Sequence, residues 1–314
     1  MKKYYIGIDI GGMSVKGIVV DGNGQIICNG TAPTGEMDGG VSLTANVTEL
    51  INSLIEKSGK DTKEFAGVGI GCPGVIDSKN GVVIFAGNLA LKNYPLVGSI
   101  KKVVNLPVKI TNDANAAALG EAKFGAGKSY DNVLFITLGT GVGGGVIIDG
   151  KLFEGYKSAG TELGHIVIKE GGRPCTCGRK GCFEAYSSAT ALMRKTKEVM
   201  QENKNSKMWE SYTLETVSGK TAFDYASTDK SAKSVVDWYV KHLACGITNL
   251  ANVFRPQIVM LGGGVCNQGE RLIAPVRNLV RQEIFGGCDY ADIEVVKATL
   301  GNTAGALGAA SLIM

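Results

Sequence analysis

The chain has 314 residues, enough for about two domains of ordinary size and for a hydrophobic core that needs no disulfide bonds. Its 44% hydrophobic and 20% charged residues are typical of a globular protein and exclude a disordered, collagen-like or coiled-coil chain. The 33 basic and 29 acidic residues are interspersed and leave a net charge of +4, so no dense basic face predicts a nucleic-acid partner.

Glycine is the residue type in excess. Its 45 copies are about twice the usual share of ~7%. Such an excess predicts tight turns, or places where the backbone closely approaches a ligand.

The N-terminus carries no secretion signal, since Met1 to Lys3 lead directly into a strand-like segment. No apolar run approaches the about 20 residues that a membrane span needs. We therefore expect a cytoplasmic protein with reduced thiols and no membrane partner. Five of the eight cysteines are isolated and are expected to be buried apolar thiols: Cys28, Cys72, Cys245, Cys266 and Cys288.

The first elements along the chain belong to a repeat. Residues 8–22 and 136–150 each read as a β-branched strand, a glycine turn, a second strand and an Asp-Gly pair. Gly139 follows Gly11 by 128 residues (139 − 11), and Asp149 follows Asp21 by the same interval (149 − 21). The pattern predicts a duplicated α/β domain with a boundary near residues 115–130; the alternative is that two glycine-rich hairpins resemble each other by coincidence.

Between and after the two copies, strands alternate with helices, which predicts an α/β fold with mixed sheets. The predicted helices cover residues 43–55, 114–123, 187–203, 229–254 and 302–313. The predicted strands cover residues 65–71, 82–85, 108–111, 258–261 and 293–296.

Two glycine-containing segments resemble nucleotide-binding motifs, but the elements predicted next to them do not fit such sites. Gly139, Gly141 and Gly144 match G-x-G-x-x-G, but a strand follows where a dinucleotide site needs a helix. The Gly127-Lys128-Ser129 run lacks the first glycine of a P-loop, since Ala122 stands there, and follows a predicted helix.

The glycine turns after the first strand of each repeat predict a different phosphate site. Backbone N–H groups in such turns can form concavities that hold anionic oxygens. A third run, Gly262 to Gly264, also follows a strand. The alternative is that glycine only tightens these turns. Hydroxyls and one charge beside them come from Ser14, Lys16, Thr137 and Thr140.

Asn112-Asp113 ends a strand and precedes a helix. Asp113 is either the N-cap of that helix or a carboxylate that accepts the proton of an attacking hydroxyl. The local sequence leaves these two readings open.

A cysteine cluster gives the strongest local signal. Cys175, Cys177 and Cys182 follow His165, and together they provide the four N and S ligands of a closed tetrahedral zinc site. Such a site is structural, so zinc is expected to fold the loop rather than do the chemistry. The alternative is a chance group of free thiols. Arg173, Arg179 and Lys180 are expected to favour thiolates, Glu162 and Glu184 flank the loop, and His242 is expected to be a packing residue.

These residues resemble the ROK family of bacterial sugar kinases, nearly from end to end. The most specific parts of this resemblance are His165 with the three cysteines and the segment from Asn112 to Ala116. The resemblance implies two related actin-like (ribonuclease H-like) domains with mixed β-sheets flanked by helices and a cleft between them. We place the N-terminal domain at 1–118, completed by the C-terminal helix 302–314, and the second domain at 119–301, with the zinc loop at 165–182.

The resemblance also implies roles for individual residues. Asp113 becomes the general base, and the zinc ligands are His165, Cys175, Cys177 and Cys182. Residues implied to bind the sugar are Gly74, Asn88, Asn112, Asp113, Glu162, His165 and Glu184. Residues implied to bind ATP and Mg²⁺ are Asp9, Gly11, Gly12, Ser14, Lys16, Gly139, Thr140, Gly141, Gly143, Gly144, Gly263 and Gly264.

Two residues depart from the family pattern. Met13 stands where the family usually has Thr, so a hydroxyl near the phosphates is either missing or supplied by Ser14. Thr176 stands where the family often has Gly, between the first two cysteines.

The resemblance predicts an ATP-dependent kinase that phosphorylates a hexose, most simply the 6-hydroxyl of glucose, and that forms a homodimer or homotetramer. N-acetylmannosamine, N-acetylglucosamine, fructose, allose and β-glucosides stay open as substrates, because selectivity depends on pocket shape. A silent sugar-binding regulator is the second alternative. The family's repressors carry an N-terminal DNA-binding domain, for which a first strand at Tyr4 leaves no room.

Overall fold

A computed structural model describes residues 3–287 and 293–314 of the chain, so Cys288 lies outside the described residues. Its residues group into two compact units. The first comprises Met1–Asp131, Gly145–Thr161 and Thr299–Met314, and the second Asn132–Gly144 and Glu162–Ala298.

The first unit contains a five-stranded mixed sheet of order β3-β2-β1-β4-β8. The meander β3-β2-β1 is antiparallel, whereas β1, β4 and β8 run parallel to one another. The carboxyl ends of these three strands therefore lie at one edge of the sheet. The bounds are β1 Tyr4–Ile10, β2 Ser14–Asp21, β3 Ile26–Pro33, β4 Phe65–Cys72 and β8 Val108–Asn112.

A small antiparallel sheet and four helices complete this unit. The predicted periodicity of the first helix is confirmed, since Leu43, Val47 and Leu50 are all buried in the core. The helices are α1 Val41–Ser58, α2 Leu96–Lys101, α3 Asp113–Phe124 and the C-terminal helix Ala304–Ser311. The small sheet contains β5 Val75–Asp77, β6 Val82–Ala86 and β7 Leu91–Tyr94.

The C-terminal helix explains part of the glycine excess. A Cβ at Gly7 or Gly69 would overlap a carbonyl oxygen of this helix, because the helix packs directly on β1 and β4. A Cβ at Gly308 would overlap the carbonyl oxygen of Ala116 in α3, and one at Gly120 would overlap that of the helix residue Ala304. These glycines allow backbone to pack on backbone, a use that the composition did not reveal.

A second five-stranded sheet has the order β11-β10-β9-β12-β13. Strands β9, β12 and β13 are parallel, as are β1, β4 and β8 in the first sheet. The predicted fold class, α/β with two related mixed sheets flanked by helices, is confirmed. The bounds are β9 Val133–Leu138, β10 Val142–Ile148, β11 Lys151–Phe153, β12 Ile258–Gly262 and β13 Glu294–Lys297.

The helices of the second unit correct one sequence expectation. The predicted helix 187–203 is broken at Ser188, whose side chain accepts a hydrogen bond from the Ala191 N–H and so begins a new helix. The bounds are α4 Glu184–Ser187, α5 Ala189–Glu202, α6 Thr221–Tyr225, α7 Lys230–Phe254 and α8 Glu270–Glu283. Among the described residues, no helix is both long and apolar enough to cross a membrane.

Candidate active site

The first unit gathers acidic and amide side chains at the carboxyl edge of its parallel strands. Asp9 is next to last in β1, Asn112 ends β8, and Asp113 begins α3 directly after it. In open α/β sheets, ligands bind outside this edge of the strands. The position of these residues therefore defines a candidate site within the unit.

The structure settles which residue caps α3. The Asn112 side chain is the N-cap, since its Oδ1 accepts hydrogen bonds from the N–H groups of Ala114 at 2.8 Å and Asn115 at 3.3 Å. Asp113 is the first residue of the helix, and its Oδ1 also accepts from the Ala114 N–H at 2.9 Å. The capping role thus belongs to its neighbour.

Burial raises the pKa of the Asp113 carboxyl above the ordinary value of 3.8, although hydrogen bonds from the Ala114 backbone and the Asn112 side chain oppose the shift. A carboxylate with a raised pKa is a stronger base than an ordinary aspartate, which suits proton abstraction near neutral pH.

Asp9 and Asp113 form a pair of like charges. Burial, followed by the charge of Asp113, raises the pKa of Asp9 to about 6, and Lys16 opposes the shift from the neighbouring strand. Lys16 lies directly across from Asp9 in the β1–β2 register. A divalent cation at Asp9 would relieve this repulsion, so the Asp9 carboxylate fits the Mg²⁺ ligand that the family resemblance implies.

The glycine turn between β1 and β2 is held by backbone bonds and one side chain. The Gly11 N–H donates to the Ser14 carbonyl at 2.9 Å, and Thr34 Oγ1 donates to the Gly11 carbonyl at 2.8 Å. Met13 is 91% exposed, so the residue that departs from the family pattern packs against nothing. Ser14 is also exposed, and its hydroxyl is available to a ligand.

Two predicted sugar residues meet directly in this unit. Asn112 Nδ2 donates to the Gly74 carbonyl at 3.0 Å, which connects the end of β8 to the segment after β4. Gly74 has a φ of 105°, and a Cβ there would overlap the Phe85 carbonyl oxygen, so this position requires glycine. Asn88 lies near the first glycine turn, with its Nδ2 3.7 Å from where a Cβ of Gly12 would be.

In the second unit, the turn Gly139–Gly141 is anchored by its carbonyl groups. The Gly139 carbonyl accepts from the Ala189 N–H at 2.9 Å, and the Thr140 carbonyl accepts from Thr190 Oγ1 at 2.8 Å. Among the described residues, nothing accepts from the N–H groups of Thr140 and Gly141. These two N–H groups are therefore free to bind an anion.

The predicted phosphate residues differ in position. Gly143 and Gly144 lie inside strand β10 and not in the turn. A Cβ at Gly144 would come within 2.6 Å of the Leu163 side chain and of the Phe135 carbonyl oxygen, so packing explains that glycine. Strand β10 also confirms that the G-x-G-x-x-G motif opens no helix.

Gly263 follows β12 at the same edge of the second sheet. Its φ is 88°, and a Cβ there would lie 2.5 Å from the Leu138 carbonyl oxygen, directly before the Gly139 turn. Gly264 begins a short helical turn with no atom within 4 Å of the position that its Cβ would take.

The four predicted metal ligands lie together in the second unit. His165, Cys175, Cys177 and Cys182 place one ligand atom each within 4.8 Å of one another. Cys175 Sγ lies 3.7 Å from His165 Nδ1, and Cys177 Sγ lies 3.7 Å from Cys182 Sγ. A tetrahedral ion with metal–sulfur bonds of about 2.3 Å holds its sulfurs about 3.8 Å apart, so the donor set fits such an ion.

The basic residues near the cluster have separate partners. The Arg179 backbone N–H and charge help to lower the pKa of Cys177. Arg173 instead binds Glu198 through two hydrogen bonds of 2.8 and 2.6 Å and stacks on Trp238. Arg173 therefore has a carboxylate partner of its own, and its effect on the thiolates stays a prediction.

The two glutamates that flank the cysteine loop differ in exposure and in hydrogen bonding. Glu162 is exposed at the start of the short turn Leu163–His165. Glu184 is half-buried and accepts from the Val142 N–H at 3.0 Å with Oε2 and from Thr176 Oγ1 at 3.1 Å with Oε1. Sequence reasoning found Glu184 but missed both contacts.

His242 is a packing residue, as predicted. Its ring stacks on Tyr186 with centroids 4.7 Å apart, and its Nδ1 lies 2.8 Å from the Trp238 carbonyl oxygen. The isolated cysteines Cys28, Cys72 and Cys266 are buried as predicted, whereas Cys245 is half-buried.

The fold and these sites define a member of the ROK family, whose family model matches residues 5–314, so the chain belongs to that family. It is 37% identical to a glucokinase of Halalkalibacterium halodurans, covering 99% of this chain and 95% of that protein. It is 38% identical to a glucokinase of Thermotoga maritima, covering 98% and 96%. The crystal structure of a ROK family glucokinase from Streptomyces griseus in complex with glucose and AMPPNP is 35% identical, with a TM-score of 0.81 and 98% of both chains covered.

Proposed function

We propose that this protein is an ATP-dependent glucose kinase that transfers the γ-phosphoryl group of ATP to the 6-hydroxyl of glucose. The observation that carries the proposal is the half-buried Asp113 carboxylate, with its raised pKa, beside Asp9 at the carboxyl edge of the first sheet. The glucokinase relatives support the choice of glucose and ATP.

Asp113 is the general base of the reaction. Its carboxylate accepts the proton of the sugar hydroxyl as the oxygen attacks the γ-phosphorus, and the bond from that phosphorus to the β-γ bridging oxygen of ATP breaks. Asn112 caps α3 and thereby holds Asp113 at the helix start. Because one Asp113 oxygen accepts the Ala114 N–H, the carboxylate keeps a fixed orientation while the other oxygen faces the hydroxyl.

The ATP phosphates bind the N–H groups of the Gly139–Gly141 turn, and Mg²⁺ binds at Asp9. When bound, the ion neutralises charge on the phosphate oxygens. In the first unit, Gly11, Gly12, Ser14 and Lys16 are proposed to bind phosphate oxygens, and in the second unit Gly263 and Gly264 are proposed to contact the adenosine. Thr140, Gly143 and Gly144 are proposed to share this role, and Gly144 also packs closely against Leu163 and the Phe135 carbonyl oxygen.

The sugar hydroxyls are bound by amides, carboxylates and one imidazole: Gly74, Asn88, Asn112, Glu162, His165 and Glu184. The hydrogen bond from Asn112 to the Gly74 carbonyl supports this set, because it fixes two of its members together. His165 uses Nδ1 on the metal side, since that atom faces Cys175, which frees Nε2 for a hydroxyl.

The metal is zinc in this proposal, bound by His165 and the three cysteines as a closed structural site. It would fix the loop that begins at His165 and ends just before Glu184, and it would take no part in the chemistry. We further place the enzyme in the cytoplasm, where ATP is available and thiols stay reduced, and expect a homodimer or homotetramer, which sedimentation equilibrium measures.

The decisive experiment measures ADP release with a panel of sugars at fixed ATP and Mg²⁺. We expect glucose to give the highest kcat/KM among glucose, N-acetylmannosamine, N-acetylglucosamine, fructose, allose and a β-glucoside. Asp113→Ala should abolish turnover while glucose still binds in calorimetry. Turnover of Asp113→Ala at the wild-type rate would refute the assigned base, and sugar binding without any ADP release would identify a silent sugar-binding protein.

A further inference from the structure

The Glu184 carboxylate connects two segments that the proposed function treats separately. Its Oε2 accepts the Val142 N–H at 3.0 Å, directly after the Gly139–Gly141 turn. Its Oε1 accepts the Thr176 hydroxyl at 3.1 Å, inside the cysteine loop. One side chain therefore joins the metal loop to the phosphate turn, all within the second unit.

The glycine turn is built around this carboxylate. A Cβ at Gly141 would overlap Glu184 Oε2, although the Gly141 backbone has no positive φ that would itself require glycine. Gly141 is thus explained by the closeness of the carboxylate. At Gly139, by contrast, no atom lies within 4 Å of the position that a Cβ would take.

The carboxylate retains capacity for a further ligand. A carboxylate offers about four acceptor positions, of which Val142 and Thr176 use two. Cys175 Sγ also lies 3.6 Å from Oε1, but a thiolate bound to a metal has no proton to donate. Binding of a sugar hydroxyl by Glu184 is therefore compatible with its contact to the turn.

Thr176 is the residue that makes this arrangement particular to this chain. Its hydroxyl is a neutral donor held by the same loop as Cys175 and Cys177, and it orients the Glu184 oxygen that Val142 does not use. Glycine at this position, as the resembling family often has, provides no such donor.

We propose that Thr176 is a positioning residue that acts through Glu184 to hold the Gly139–Val142 turn in the geometry that binds the ATP phosphates. This proposal rests on the proposed function, because it assumes that the turn binds ATP. Loss of the hydroxyl frees one carboxylate oxygen, so Glu184 can rotate and the Val142 N–H loses its fixed partner.

The test compares Thr176→Val, which keeps the shape but removes the hydroxyl, with Thr176→Ser, which keeps the hydroxyl. Thr176→Val should raise the KM for ATP and the dissociation constant of Mg·ADP, the latter measured by calorimetry without turnover, by about three- to tenfold, the range of one net hydrogen bond. Thr176→Ser should restore both, and Thr176→Gly should match Thr176→Val. The matched control is Thr228→Val, an exposed threonine of the same unit whose hydroxyl makes only a 3.5 Å bond to the Tyr225 carbonyl.

The result has three informative forms. Raised values for ATP and Mg·ADP with unchanged zinc content and rescue by serine support the proposal. Three results in Thr176→Val would overturn the proposal. Unchanged KM for ATP and dissociation constant of Mg·ADP would show that the hydroxyl has no role in nucleotide binding. An increase confined to the KM for glucose would assign the hydroxyl to the sugar site, and loss of zinc would assign it to the metal loop. A wild-type protein that releases no ADP with any sugar would instead refute the proposed function.

Discussion

The carboxylate of Asp9 lies directly against the backbone of Gly305: a Cβ added to Gly305 would come within 2.7 Å of Asp9 Cγ. The C-terminal helix, which is the last element of the chain, thus helps to bury a side chain from the first strand. Burial is the main reason why the pKa of Asp9 is raised to about 6. The protein keeps an acidic group where its ionised form is unfavourable, which is typical of a site kept for a ligand.

This shift has a consequence for stability. Because the folded pKa of about 6 exceeds the ordinary 3.8, the folded chain binds more protons than the unfolded chain between these values, and stability falls as pH rises through them. Two pKa units correspond to about 3 kcal/mol. Asp9→Asn should therefore raise the free energy of unfolding at pH 7.5, without Mg²⁺, by about 1 to 3 kcal/mol in urea melts, and by much less at pH 4.5.

In the matched control, the same Asp→Asn substitution should change the free energy of unfolding in the opposite direction. Asp77 is a half-buried aspartate whose pKa is lowered because Asn80 donates to it, so Asp77→Asn should reduce stability at pH 7.5. Added Mg²⁺ should stabilise the wild type more than Asp9→Asn. A loss of stability in Asp9→Asn at pH 7.5 would contradict the argument.

Asn112 allows a prediction about the pH dependence of catalysis. Its side chain helps to lower the pKa of Asp113. Asn112→Asp still caps α3, but it replaces a donor by a negative charge beside Asp113 and leaves the Gly74 carbonyl without its partner. The pKa of Asp113 should rise, so the acid limb of the kcat/KM profile should move to higher pH by about one unit.

Asn29→Asp is the control for that shift. It adds the same charge to an exposed position on β3 of the same unit and should leave the limb in place. An unmoved limb in Asn112→Asp would mean that Asp113 does not set it.

The packing of the C-terminal helix gives a third prediction. Gly308→Ala would drive a methyl group into the Ala116 carbonyl oxygen, and a main-chain atom of α3 cannot move aside as a side chain can. We expect a loss of about 3 kcal/mol or more in chemical denaturation. Gly22→Ala, where the added methyl meets no atom within 4 Å, should change stability little. Equal effects in the two variants would show that the close helix contact is absent in solution.

These glycines mark what the sequence could not predict. The repeated glycine hairpin and the alternation of strands with helices were enough to predict an α/β fold with mixed sheets, because hairpins and helices depend on residues close in the chain. The strand order was not predicted, since β1, β4 and β8 pair across long stretches of sequence. Gly7 and Gly308 carry no such signal, since each is required by a contact with an element far away in sequence. The composition shows the excess of glycine, but part of its cause lies in contacts between elements that are distant in sequence.

The candidate site also has features that the sequence predicted and features that only the structure shows. The spacing of His165 and the three cysteines predicted their cluster, because ligands of one ion must lie within a few ångströms. The local sequence does not decide whether Asp113 caps its helix, whereas the structure shows Asn112 in that role. The Thr34 bond to the first glycine turn and the Thr176 bond to Glu184 join residues with no shared motif, so pattern reasoning missed them.

The metal loop gives the last prediction. Purified protein should contain about one zinc per chain, and Cys177→Ser should lose it because one of four ligands is removed. Cys245→Ser changes a half-buried thiol that takes no part in the cluster, and it should retain the metal.

Arg179 and Lys180 are exposed within the loop, where the Arg179 carbonyl accepts the Cys175 N–H. Without zinc, trypsin should cut after these residues at low enzyme ratios, because the cluster no longer holds the loop in a conformation that resists the protease. Mass spectrometry of the fragments locates the cut; a loop that resists trypsin equally with and without chelator would show that the thiols do not depend on a metal for their arrangement.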